Sequence, residues 1–84
     1  MLISSANIGK TVGKPEFKKS FGASVRNRRH QLGLSQEALA ERAELHRTYI
    51  SGVERGVRNP TVTVVAKIAE ALAVGPDQLL RPTK

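Results

Sequence analysis

Few side chains in this sequence are equipped for covalent chemistry, and those few stand apart. There is no cysteine, which removes disulfides, zinc–thiolate sites and thiol nucleophiles. The histidines, His30 and His46, are too far apart in the chain to make a metal-ligand cluster by spacing. No serine sits in a nucleophile elbow, and no paired acids flank a plausible pocket. Gly9-Lys10-Thr11 looks like the end of a phosphate-binding loop, but that loop needs a glycine where Ser4 stands, and a strand before it. An enzyme is therefore not expected, nor a metal or cofactor. What the chain has in quantity is cations: fourteen Lys and Arg against seven Asp and Glu, a net charge of +7. Such an excess is either a solvated basic face or the footprint of a polyanionic partner, usually nucleic acid.

The charge is unevenly spread. Residues 1–34 carry Lys10, Lys14, Lys18, Lys19, Arg26, Arg28 and Arg29 against Glu16 alone. Residues 35–59 balance Arg42, Arg47, Arg55 and Arg58 with Glu37, Glu41, Glu44 and Glu54. With 84 residues the chain is one small domain with one tail, able to bury only about 60% of its unfolded surface. The opening MLISSANIGKTVGKP has too short an apolar run for a signal peptide, and nothing later approaches a membrane span, so a cytoplasmic location is expected. Residues 1–15 show no helical apolar period and read as an irregular basic arm, with residues 16–84 as the domain. The arm is either an extension along DNA or a neighbouring subunit, or an unordered tail.

The elements that must position any binding groups are short helices. Phe21, Val25 and Leu32 recur at helical steps, predicting a first helix over Phe17–Leu32 that Gly33 ends. Ser35 is the natural cap of a second helix carrying Ala38, Leu39, Ala40 and Ala43. A break near Glu44–His46 precedes a third, Arg47–Glu54, with Ile50 and Val53 inward, stopped by Gly56. Arg58-Asn59-Pro60 makes a turn, and Thr61 caps a fourth helix whose stripe is Val65, Ile68, Ala69 and Leu72. Gly75 closes that helix, and Pro76–Leu80 forms a last one. The expectation is an all-α domain: a compact bundle of five short helices.

Within it, QEALAERAELHRTYISGVER at 36–55 has the layout of two helices joined by a tight turn. Two short helices crossing at about 90–120° pack only where little side-chain bulk meets. Ala40 and Ala43 meet that condition on the first helix, and Ile50 and Val53 provide the buried side of the second.

RRHQLGLSQEALA at 28–40, YISGVERGVRNPT at 49–61 and IAEALAV at 68–74 resemble the Cro/repressor, or XRE-type, helix-turn-helix regulators of bacteria and phages, over about Phe17 to Leu80. LHRTYISGVERGVRNP is most similar to the controller proteins of restriction-modification systems. The resemblance implies a lambda-repressor-like domain that regulates transcription by binding double-stranded DNA as a homodimer on a roughly palindromic operator, without a small-molecule effector. It implies base contacts from Arg47, Thr48, Ser51 and Gly52, although Gly52 has no side chain to offer. It places Gln36 against a phosphate, where free amides at a helix start also suit an anion. Arg55, Arg58 and Asn59 become further phosphate contacts. His46 is either a phosphate contact or a plain surface histidine, and Tyr49 either packs at the core edge with Leu39 or offers its hydroxyl to a phosphate. Arg29 and Glu54 match an ion pair that some members bury between the first helix and the recognition helix. Val74, Leu79 and Leu80 fall where members pair.

The match has departures. Glu44 holds a turn position often taken by glycine, which demands an unusual backbone angle or another turn. His46 is a poor helix cap. An antitoxin of the same fold is the alternative reading; it needs a toxin-docking extension, for which the arm is the only candidate.

Overall fold

The computed structural model describes residues 15–80. Among these every regular element is helical: α1 (Pro15–Gln31), α2 (Gln36–Ala43), α3 (Arg47–Glu54), α4 (Val62–Ala71) and α5 (Pro76–Leu80). The arm as far as residue 14, and the basic residues Arg81 and Lys84, lie outside the described residues. Pro15, expected in the arm, is instead the first residue of α1. A first helical turn tolerates proline, because amides there have no carbonyl to meet and a missing N–H costs nothing.

Four helices end the same way, and those endings let so short a chain fold back on itself. After α1 the amide of Leu34 donates to Arg29 C=O and that of Gly33 to His30 C=O, both at 3.0 Å. After α2 the pairs are Leu45 to Ala40 (2.8 Å) and Glu44 to Glu41 (3.2 Å). After α3 they are Val57 to Gly52 and Gly56 to Val53, and after α4 Val74 to Ala69 and Ala73 to Glu70. This paired reversal needs one left-handed residue. Gly33 and Gly56 supply it with φ of 69° and 79°, while Glu44 and Ala73 adopt it despite their Cβ atoms, at 59° and 60°. Glu44 thus makes the ordinary turn at the expense of local strain. It is Ala73 that reverses the chain after α4; Gly75, expected in that role, comes after the reversal.

At the opposite ends, Ser35 accepts from the amide of Ala38 at 3.0 Å and Thr61 from that of Val64 at 3.2 Å. His46 flanks α3 without a side-chain cap bond.

The core draws on all five helices: Phe21, Val25, Leu39, Ile50, Val53, Ile68 and Leu72 are all but inaccessible, with Leu79 from α5 beside them. Phe17 stacks on Phe21, ring centroids 5.7 Å apart. α2 packs on α3 and α4, and α1 packs on α3 and α5. Ala40 and Ala43 are buried at the helix crossing. Two assignments to the apolar pattern change. Leu32 is 37% exposed; the four-residue stripe from Phe21 through Val25 continues to Arg29, which is buried. Leu79, expected on a pairing surface, is 3% exposed and belongs to the monomer's own core.

Candidate nucleic-acid interface

α3 is divided lengthwise. At about 100° per residue, Ile50 and Val53 share one side of the helix, and Arg47, Ser51, Thr48 and Arg55 share the other. The first two are fully buried; Arg47, Thr48 and Arg55 are exposed and Ser51 half-buried. A helix that hides two side chains and presents four polar ones can enter a groove without unmaking its domain.

α1 fixes how α3 is held. Gly22 lies against the end of α3 so closely that a Cβ there would stand 2.3 Å from the carbonyl oxygen of Val53 and 2.9 Å from that of Glu54. One turn pair further along α1, Arg29 meets Glu54: Nε donates to Oε2 at 2.6 Å and Nη2 to Oε1 at 2.9 Å. The third donor, Nη1, reaches the carbonyl of Leu34 at 2.8 Å. The side chains of Arg29 and Glu54 are only 10% and 4% exposed. A buried charge is tolerated when paired and fully hydrogen-bonded, and a two-pronged guanidinium–carboxylate contact is the strongest such arrangement. The hydrogen bonds that Arg29 donates to Glu54 raise its pKa above the ordinary value, with burial opposing and Coulomb attraction assisting.

Gln36 opens α2 but turns part of its amide inward, donating from Nε2 to Glu54 Oε1 at 3.0 Å. It is half-buried, so the residue expected at a phosphate also ties the start of α2 to the end of α3. His46 is exposed at the α3 start, and Asn59 is exposed in the loop after α3. Tyr49 is half-buried and packs against the core cluster.

Gly52 differs from the expectation of an exposed base contact: it is buried, although it follows Thr48 around the outward flank. Its cover is Arg58, whose Cγ would stand 2.7 Å from a Cβ on Gly52. The guanidinium of Arg58 lies over the Tyr49 ring, 5.4 Å from its centroid. The surface expected for pairing also changes. With Leu79 inside, Leu80 is 45% exposed and Val74 half-buried at the α5 end, while Val57 (57%) in the loop after α3 and Val62 (80%) at the start of α4 are exposed.

Two polar roles escaped the sequence. Arg28 donates from Nε to the carbonyl of Leu72 at 3.1 Å, closing the end of α4 from a residue far away in the chain. The seat of Arg58 on Tyr49 and Gly52 is likewise tertiary; its only trace in the sequence is a glycine inside a helix. Among the described residues no group of His, Asp or Glu is placed to hold a metal ion, and no helix is long and apolar enough to cross a membrane.

Comparison with known proteins places this geometry in company. The helix-turn-helix family HTH_3 matches residues 25–79. The control protein C.BamHI of Bacillus amyloliquefaciens is 49% identical over 61 residues, covering 71% of this chain and 75% of that protein. The control protein C.SmaI of Serratia marcescens is 43% identical over 65 residues, 77% of each. The crystal structure of the restriction-modification controller protein C.AhdI from Aeromonas hydrophila superposes with a TM-score of 0.73 at 44% identity, covering 74% of this chain and 94% of that one. All three are control or controller proteins.

Proposed function

This chain belongs to the helix-turn-helix family HTH_3 and is a DNA-binding transcriptional regulator, and we propose that it works as a homodimer on a roughly palindromic operator, in the manner of a restriction-modification controller. The observation that carries the reading is the lengthwise division of α3, with Ile50 and Val53 inaccessible and Arg47, Thr48 and Arg55 outward. Arg47 has the donor fork to grip the O6 and N7 of guanine, at about 1–3 kcal/mol of discrimination, and the methyl of Thr48 suits a thymine. Gln36, His46, Arg55, Arg58 and Asn59 border α3 with groups that suit phosphates, which orient the protein without reading sequence. Leu80 and Val74 form the proposed pairing surface. Two copies of α3 in successive major grooves stand about 34–36 Å apart. Control then acts by occupancy of a promoter, in the cytoplasm, with no small-molecule effector.

Enrichment of random duplexes on the purified protein, followed by sequencing, tests this directly. A two-fold symmetric consensus is expected, with Arg47→Ala relaxing preference at one base pair of each half. If the dimer neutralises about 6–10 phosphates, affinity falls roughly 10³–10⁵-fold between 50 and 200 mM salt. No enrichment, or an asymmetric single site with a flat salt response, refutes the proposal.

A further inference from the structure

We propose that Gly52 is a positioning residue: its missing side chain lets Arg58 fold back across the outward flank of α3 and rest on Tyr49, so a loop cation stands ready beside Thr48 before DNA arrives. The inference rests on the reading of α3 as the helix that meets DNA, and goes beyond it by assigning work to a residue that touches no base.

Gly52 has no conformational reason to be glycine. Its φ is not positive, and it sits inside a regular helix, where alanine is the more stabilising residue. What the position lacks is room. A Cβ there meets Arg58 at three atoms, Cγ at 2.7 Å, Nε at 3.2 Å and Cδ at 3.5 Å, so the arginine stem runs across the bare backbone. The other side of the seat is the Tyr49 ring, 5.4 Å from the guanidinium carbon. That separation is within the roughly 6 Å over which a cation is held by an aromatic face. Arg58 remains exposed, so its N–H donors are still available to an incoming anion.

The seat matters because arginine is a costly side chain to order. A free loop arginine loses rotamer freedom when it closes on a phosphate oxygen; one already laid along α3 has lost much of it beforehand. Tyr49 and Gly52 are three residues apart, so they lie side by side on α3 and form one platform. The ligand class is a nucleic-acid phosphate, which the planar guanidinium fork fits in two-pronged fashion.

The experiment uses the full chain and a duplex carrying its selected consensus, with Gly52→Ala, Arg58→Ala, the double variant and Tyr49→Leu. Gly52→Ala is expected to melt at or above the wild-type temperature yet bind about tenfold more weakly per protomer, about a hundredfold for the dimer, near the loss of one charge-assisted hydrogen bond in each half. The slope of log affinity against log salt should shrink by about one per protomer. Arg58→Ala should show the same loss, and the double variant no more than Arg58→Ala alone, since both remove one contact. Wild-type affinity in Gly52→Ala, or losses that add in the double variant, overturn the proposal. Should Gly52→Ala not fold, Tyr49→Leu decides: the same loss and slope change are expected, and wild-type binding refutes the seat. If Arg47→Ala and Arg58→Ala both leave binding unaltered, it is the reading of α3 that has failed, not only the role of Gly52.

Discussion

Replacing Arg29 by methionine isolates the tie between α1 and α3. The substitution keeps a long apolar stem but removes three donors at once: two that hold Glu54, at 2.6 and 2.9 Å, and one that holds the carbonyl of Leu34, at 2.8 Å. Glu54, with a side chain 4% exposed, is left with the Gln36 amide at 3.0 Å as its remaining hydrogen bond. Breaking a buried pair from one side costs about 3–5 kcal/mol, because the survivor stays charged and dry. A domain of this size holds roughly 3–10 kcal/mol in all, so the variant should be close to the edge of folding. At about 4–8 °C per kcal/mol, the melting temperature should fall by about 12 °C or more. Thermal melts followed by circular dichroism, at one fixed protomer concentration because the proposed dimer would add its own stability, measure this. The companion Arg29→Met/Glu54→Leu removes both charges and should recover much of the loss, since replacing a whole buried pair with apolar side chains is often close to neutral. An Arg29→Met melt within about 2 °C of wild type refutes the energetic role, since even 1 kcal/mol shifts the melt of a domain this small by more than that.

Other substitutions probe the frame around that tie. Gly22→Ala inserts a Cβ where only 2.3 Å separates it from the Val53 carbonyl, so α1 must back away from α3; a loss of about 1–3 kcal/mol is expected by chemical denaturation, and an unchanged midpoint refutes the close approach. Ala73→Gly and Glu44→Gly each relieve a left-handed residue with a Cβ; each should gain up to about 1 kcal/mol, a rise of several degrees in the melt, and a fall in both argues against the reversal geometry. The pH response of the Arg29 tie has a definite sign. Its folded pKa is raised, so its contribution is fully present below the ordinary arginine value and is lost only as pH rises through the folded one. The melting difference between wild type and Arg29→Met should therefore stay level from about pH 8 to 10, well short of arginine titration; a difference that shrinks across that range contradicts it.

Much of the architecture was legible because local physics wrote it. Ser35 and Thr61 read as caps because a short hydroxyl side chain reaches an amide three residues on, whatever surrounds it. Gly33 and Gly56 read as helix ends because the left-handed angle favours glycine. Ala73 was not legible as a reversal, since alanine has no preference for that angle; packing of Val74 beside the core holds it there. Leu32 and Arg29 traded burial for a similar reason. The helical period permits either, and Arg29 is drawn inward by a carboxylate that the chain reaches only at Glu54.

Ile50 and Val53 are legible as the buried side of α3 from their spacing, whereas the roles of Arg47, Thr48 and Arg55 come only with the family resemblance; all three residues lie exposed. That α3 is amphipathic, that it follows a tight turn after an alanine-bearing helix, and that the chain is strongly cationic are properties of short stretches and need no partner. Contact between distant stretches is of another kind. Whether Leu79 faces a second subunit or its own core, whether Gln36 is free or holds Glu54, and what covers Gly52 depend on which surfaces meet once the chain has closed. Those meetings are set by the summed packing of five helices, and no single helix carries a record of them.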